Sequence, residues 1–299
     1  MTVGADTRHP PTDTAEVEAA HALHPVRAAA STRIPAWWGL VLTAAVVASW
    51  WVVMSRGGPA RLDLLGAAAG FVRDLLGVDG VDPPVWATGG AWRAAMGPAV
   101  DTVVMSLLGA ATAGVVALAT VIFASRPLRD APHSRVGTAG RLGLVASRGM
   151  HVLTRAVPDY IWALLLVFVL RPGVLAAALA LALHNIGVMG RLGSDVVEDL
   201  DPGPLEALRS AGAGRLQVLA YGVLPQVLPQ FLTFLLYRWE VMMRAAAVVG
   251  FVALAGVGYQ LRLAMSLLRW SEVGLWLAVY VALVLLADLT SSALRRLAR

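Results

Sequence analysis

Long apolar runs alternate along this chain with stretches rich in charge, glycine and proline. The first run extends from Ala36 to Met54, directly after Pro35. A helix of that length crosses a bilayer, which takes about 20 apolar residues. Trp37 and Trp38 at one end and Trp50 and Trp51 at the other fall where an aromatic belt would sit. A second run covers Thr102 to Ala124, and a third covers about Gly149 to Leu170. After the tight turn Arg171-Pro172-Gly173, a fourth reaches Gly190. The fifth goes from near Gln226 to about Ala255, where Gly256-Val257-Gly258 breaks the pattern, and the sixth lies around Val273–Leu289. The pattern predicts an all-α integral membrane protein with six transmembrane helices.

The segments between the runs complete the outline. Residues 1–34 are a polar tail with too few apolar side chains to bury, so disorder is expected there. The tail is long for a signal peptide, and the first span reads as an uncleaved anchor. Leu62, Leu65, Phe71, Leu75 and Leu76 predict a short amphipathic helix on a membrane surface, ended by Gly80, Pro83 and Pro84. The chain thus divides into the tail 1–34, an anchor and external segment over 35–96, and a transmembrane domain over 97–299 with a polar loop at 198–225. The side holding both termini and the 191–225 loop carries 14 Arg against 7 on the other side, which places the termini in the cytoplasm.

Composition agrees and adds exclusions. Hydrophobic residues make up 58% and charged residues 14%, with a mean hydropathy of +0.70. Soluble domains average roughly 45–50% and 25%. There is no cysteine, which removes disulfides, thiolate nucleophiles and Cys-ligated metals. There is no lysine either, all 24 basic residues being Arg. A phosphate-binding loop needs its Lys, so energy for any pumped process must come from a partner or an ion gradient. His21 and His24 lack the neighbours that a metal site requires. No His-Glu-x-x-His or Gly-x-Ser-x-Gly motif is present, which argues against a membrane-embedded enzyme.

The loop after the fourth span is the most specific stretch. Asp201 can cap a helix with Pro202 at its first position. Leu205, Ala207, Leu208 and Ala211 suit a short amphipathic helix that Gly212 ends, because glycine adopts positive φ cheaply. A second short helix is predicted from Arg215, ending before Pro225. A helix–Gly–helix unit between two spans is a shape suited to docking on another protein.

Here the chain resembles the permeases of importer-type ABC transporters. Their cytoplasmic signature is Glu-Ala-Ala, three residues, Gly, nine residues, Ile, one residue, Leu, Pro. Glu206, Ala207, Gly212, Leu224 and Pro225 match it, while Leu208 stands for the usual Ala and Gly222 for the usual Ile. The resemblance covers about residues 97–299. It is closer to the phosphonate permeases, through Leu200-Asp201-Pro202-Gly203-Pro204, Tyr221-Gly222-Val223-Leu224-Pro225-Gln226, Leu236-Tyr237-Arg238-Trp239-Glu240, Gly250-Phe251-Val252 and Gly256-Val257-Gly258-Tyr259. Ala255 replaces a usual glycine.

The resemblance implies a type I importer permease core of the methionine-importer kind, multi-pass in a bacterial inner membrane, with no cofactor. It implies two cytoplasmic ATPase subunits, a periplasmic or lipid-anchored solute-binding protein and a second permease subunit, the same chain being expected. It assigns ATPase coupling to Glu206, Ala207, Arg209, Gly212, Arg215 and Pro225.

Charges inside the spans are the other candidates. Each costs about 2.5–3.5 kcal/mol at a membrane helix centre and needs a partner or a function. Arg155 and Asp159, and Glu240 and Arg244, are four apart and could neutralise one another. Pro158 is expected to kink the third span. Arg238 has no carboxylate three or four residues away, so it must pair across helices or face water. Tyr237, Arg238 and Glu240 are the leading pathway candidates, with Arg244, Arg155 and Asp159 beside them. His184 and Asn185 are expected to hydrogen-bond between helices. The surplus of positive charge favours an anion such as a phosphonate. An ion-coupled secondary transporter or channel using Asp159 or Glu240 is the competing class.

Overall fold

A computed structural model describes residues 37–56, 64–78, 83–124 and 138–297. The predicted disordered tail, most of the basic loop after the second span, and the side chain of Arg215 lie outside the described residues. The described elements are all helical. Two compact units divide at Leu64 and Leu65. In the first, α1 (Trp37–Arg56) is a 20-residue helix with no buried residue and with Trp37 and Trp38 stacked.

The second unit contains the other helices. They are α2 (Leu64–Leu76), α3 (Gly89–Ala124), α4 (Thr138–Ala156), α5 (Asp159–Leu170), α6 (Val174–Glu198), α7 (Pro202–Ser210), α8 (Leu224–Ala253), α9 (Gly256–Ser266) and α10 (Trp270–Leu297). Among the described residues, five helices are long and apolar enough to cross a membrane, and the bent pair α4–α5 makes a sixth when counted as one span.

α6 is the hub. It packs against α3, α4, α5 and α8, and its buried face is mostly Ala and Gly. Small side chains let helix backbones approach closely, which is how helices associate where lipid is as apolar as leucine. At Gly187 an added Cβ would strike the backbone of His151 and Arg155 on α4. The helix continues eight residues beyond the apolar run, because Arg191 pairs with Asp195 at 3.2 Å and Glu198 with Arg148 of α4 at 2.6 Å.

The expected kink at Pro158 is a 96° break between α4 and α5. Proline has no N–H, so the carbonyl four residues earlier, on Thr154, loses its helical donor. Trp162 Nε1 donates to that carbonyl at 3.1 Å, and His184 Nδ1 donates to the Val157 carbonyl at 3.0 Å. Side chains from α5 and α6 thus satisfy backbone that lipid could not. The break also separates Arg155 from Asp159, and no ion pair joins them among the described residues.

Other boundaries differ from the sequence pattern. α2 ends at Leu76, with Gly77 at φ 63°, before the predicted stop at Gly80. Rather than resting only on a membrane surface, it packs on the start of α10 through Phe71 and Trp270, and through Leu75 against Gly274. α3 begins at Gly89 and passes through Pro98. The break at Gly256-Val257-Gly258 introduces α9, which the pattern did not predict. There Thr102 Oγ1 accepts from the Val257 amide at 2.9 Å and donates to the Pro98 carbonyl at 2.9 Å, tying α9 to α3.

The contact at Gly187 can be tested on the purified chain. Gly187→Ala should cost about 1–3 kcal/mol of stability, because backbone cannot move aside as a side chain can. Gly149→Ala, whose Cβ would meet open space on α4, should stay within about 0.5 kcal/mol of the parent. Thermal unfolding in detergent reads both.

Candidate functional site

The loop after α6 is built as its residues dictate. Asp201 Oδ1 accepts from the Gly203 amide at 3.0 Å with Pro202 at the first helical position, so α7 starts as expected. It stops as expected too. Gly212 has φ 82°, its amide bonds the Arg209 carbonyl at 2.9 Å, and the Ala213 amide bonds the Leu208 carbonyl at 3.0 Å. That pair of bonds is a Schellman closure, which satisfies the last carbonyls of α7.

Leu205 is buried against the cluster containing Val218, Val223 and Val227, and Leu208 packs beside it. The opposite face presents Glu206 and Ala207 to the outside, with Arg209 half-buried. Gly212 and Pro225 are exposed. Beside them Leu216 and Tyr221 are 80% and 74% exposed, two apolar groups that the sequence pattern did not single out. Their signal was present, because a buried second helix would not leave Leu216 and Tyr221 outside the run of Val218, Gly222 and Val223.

The second short helix does not end before Pro225. One turn at Arg215–Gln217 widens into a π-helical segment, Val218–Val223, and continues without interruption into α8. The wider turn lets the proline ring enter the helix without meeting the preceding carbonyls. Gln226 Nε2 adds a bond to the Gly222 carbonyl at 2.7 Å. The second half of the loop, from Arg215, is therefore the start of a membrane-crossing helix. Pro225 and Arg238 stand 13 residues apart on it, about 20 Å along the axis.

The two departures from the permease signature meet in space. A Cβ on Gly222 would lie 2.7 Å from Leu205 Cδ2 and 3.0 Å from Leu208 Cδ1. Leu208 occupies room that a larger residue at 222 would need. In this chain the large residue of the contact stands at 208 and the small one at 222.

In the membrane, Arg238 Nε donates to Asn185 Oδ1 on α6, and the Asp159 carboxylate of α5 attracts the same guanidinium. Arg238 thus pairs across helices, and Asn185 and His184 both bond between helices as expected. Glu240 is buried and takes Arg244 within α8, with Arg295 of α10 at 3.7 Å. Arg295 was not foreseen, since it lies beyond the apolar run of the last span.

Tyr237 and Arg244 instead face outward on α8, 57% and 47% exposed. Gln230 and Thr233 are exposed on the same side. The spacing of 230, 233, 237 and 244 forms one stripe along a helix. A polar stripe on a crossing helix belongs against water or protein rather than lipid. Arg155 is not on it and lines a separate cleft between α4 and α6. No group of three His, Asp or Glu that could hold a metal exists among the described residues.

Comparison with known proteins gives a consistent picture. Residues 139–299 match the family model described as binding-protein-dependent transport system inner membrane component. The phosphite transport system permease protein PtxC of Stutzerimonas stutzeri is 38% identical over 205 residues, 69% of this chain and 71% of that protein. The phosphate-import permease protein PhnE of Mycolicibacterium smegmatis is 36% identical over 67% of this chain and 36% of its own length. A cryptic phosphonate transport system permease protein of Escherichia coli, PhnE2, is 39% identical over 40% of this chain and 97% of its own length. Among solved structures, an inward-facing MetNI methionine ABC transporter superposes with a TM-score of 0.58 at 17% identity, covering 71% of this chain and 99% of that one. At that identity the likeness is one of fold.

The exchange between Leu208 and Gly222 predicts a double-mutant result. Gly222→Ile alone should overpack the contact and cost about 1–3 kcal/mol. Combined with Leu208→Ala, it should recover a large part of that loss, a coupling of about 0.5–3 kcal/mol. Unfolding midpoints of the two single variants and the double variant in detergent give the coupling directly.

Proposed function

The chain belongs to the family of binding-protein-dependent transport system inner membrane components, and from that premise we propose that it carries a phosphorus oxyanion, a phosphonate, phosphite or phosphate, into the cytoplasm. It is the permease component of an ABC importer. The named substrates of its relatives support the substrate class. In this proposal the transport core is 97–299, preceded by the anchor and external segment 35–96 and the tail 1–34. Both termini are cytoplasmic. Two separate ATPase subunits dock on α7, an external solute-binding protein delivers the anion, and a second copy of the chain completes the pore.

The observation that carries the mechanism is the continuity of α8. Its first turns form the docking loop, and its middle holds the polar stripe and the buried charges. Closure of the ATPases would press on Glu206, Ala207, Arg209 and the Gly212 turn. Leu205 and Leu208, seated on Val218 and Gly222, would pass that displacement to α8 near Pro225. Arg215 stands at the junction. The stripe of Tyr237 and Arg244 would then change the side of the membrane it faces.

Tyr237 and Arg244 are the groups an anion would touch. Arg238, held by Asn185, would add a fixed positive potential. Glu240 positions Arg244 and is itself held between two guanidiniums. The family match and the transport permeases among the relatives favour this reading over the ion-coupled alternative.

Uptake into vesicles holding the assembled importer tests the proposal. Uptake of labelled phosphite or methylphosphonate should require ATP and the ATPase subunits and survive a protonophore. Arg244→Gln should lower it about ten- to hundredfold, the worth of one lost charge-assisted bond to the anion, while the ATPase still co-purifies. Uptake driven by a proton gradient without the ATPase would refute the proposal.

A further inference from the structure

α4 and α6 line a small cleft, about 150 Å³, edged by charged side chains, that the proposed transport mechanism does not use. Arg148, His151 and Arg155 line it from α4, and Arg191, Asp195 and Glu198 from α6. Three guanidiniums face two carboxylates. Arg148 pairs with Glu198 and Arg191 with Asp195, which leaves Arg155 exposed and without a carboxylate partner among the described residues. His151 is buried and bonded to Thr120 Oγ1 at 2.8 Å, so it closes the floor.

The depth of the cleft is set by α6. Its uncharged run ends at Gly190, the residue against which the His151 ring packs. Arg191 and the pairs beyond it mark the level where the helix leaves hydrocarbon for the headgroup region. The other side of α4 is apolar and open, with Leu142, Val145 and Leu153 exposed, and Val152 lies at the cleft edge. Arg148 and Arg155, seven residues apart, share one face between this apolar side and α6. A basic cleft at headgroup depth beside an uncovered apolar helix face has the two parts of a lipid: a seat for a phosphate and a wall for its chains.

We propose that this cleft binds the phosphate of an anionic phospholipid, on the face of the membrane that carries α7. Arg155 supplies the unpaired charge, and the apolar side of α4 holds the acyl chains. The Arg148–Glu198 pair links the cleft to the end of α6, three residues before the Asp201 cap of α7. Lipid occupancy therefore steadies the helix from which the docking loop departs. The inference does not depend on the transported substrate.

The test uses the full chain in its importer complex, released from nanodiscs containing phosphatidylcholine with or without phosphatidylglycerol, and read by native mass spectrometry. The intact protein should retain phosphatidylglycerol in preference to phosphatidylcholine. Arg155→Gln should lower that retention about fivefold, and Arg155→Lys should restore most of it. Arg269→Gln, a control remote from the cleft and paired to Glu272, should leave retention unchanged. Equal retention by Arg155→Gln would overturn the proposal. So would displacement of the lipid by millimolar inorganic phosphate, which would assign the cleft to the free anion.

Discussion

Arg238 is the constraint around which the membrane part of this protein is arranged. A guanidinium inside a bilayer is costly unless charge and hydrogen bonds surround it. Here the hydrogen-bond partner is Asn185 of α6, and the opposite charge of Asp159 on α5 acts on the same guanidinium without an ion pair. Each of the two fixes something further. Asn185 also donates to the Leu181 carbonyl at 2.7 Å, so its orientation is set within α6. Asp159 opens α5, and its position depends on the 96° break at Pro158. That break is tolerable only because Trp162 and His184 satisfy the freed carbonyls. Close approach of α4 to the glycines of α6 brings these groups within reach.

The same helix that holds Arg238 reaches the docking loop. In the proposed mechanism this continuity lets a force applied at α7 reach the charges in the membrane. A π-helical widening before Pro225 allows the proline to sit within a continuous helix. The contact of Leu205 and Leu208 with Gly222 keeps α7 seated on it. Because the chain has no lysine, it has no means to complete a phosphate-binding loop. In the proposed mechanism the motion is delivered by a partner, with the exposed α7 receiving it.

Much of this was legible in the sequence. The apolar runs located five crossing helices and the bent pair α4–α5, and the caps at Asp201 and Gly212 located both ends of α7, because both signals are local. The lack of a carboxylate three or four residues from Arg238 left it to pair across helices or face water, and it pairs with Asn185. Features that depend on tertiary contact were not legible. Arg155 and Asp159 have the spacing of a pair, but proline geometry parts them. α6 outlasts its apolar run because of pairs made at its end, one of them with α4. Arg295 joins Glu240 from 55 residues away. The Leu208–Gly222 exchange looked like two separate departures from the signature until their side chains were seen in contact.

The central claim is that α7 is the surface through which a separate ATPase drives this pore. The chain contains no cysteine, so a single one is a unique attachment point. The most direct measurement is photo-cross-linking in the assembled importer with a thiol-attached probe on Glu206→Cys, compared with Leu65→Cys on α2. The account predicts an ATPase adduct from position 206 whose yield changes with ATP, and none from position 65. An active importer giving no ATPase adduct from position 206 would contradict it.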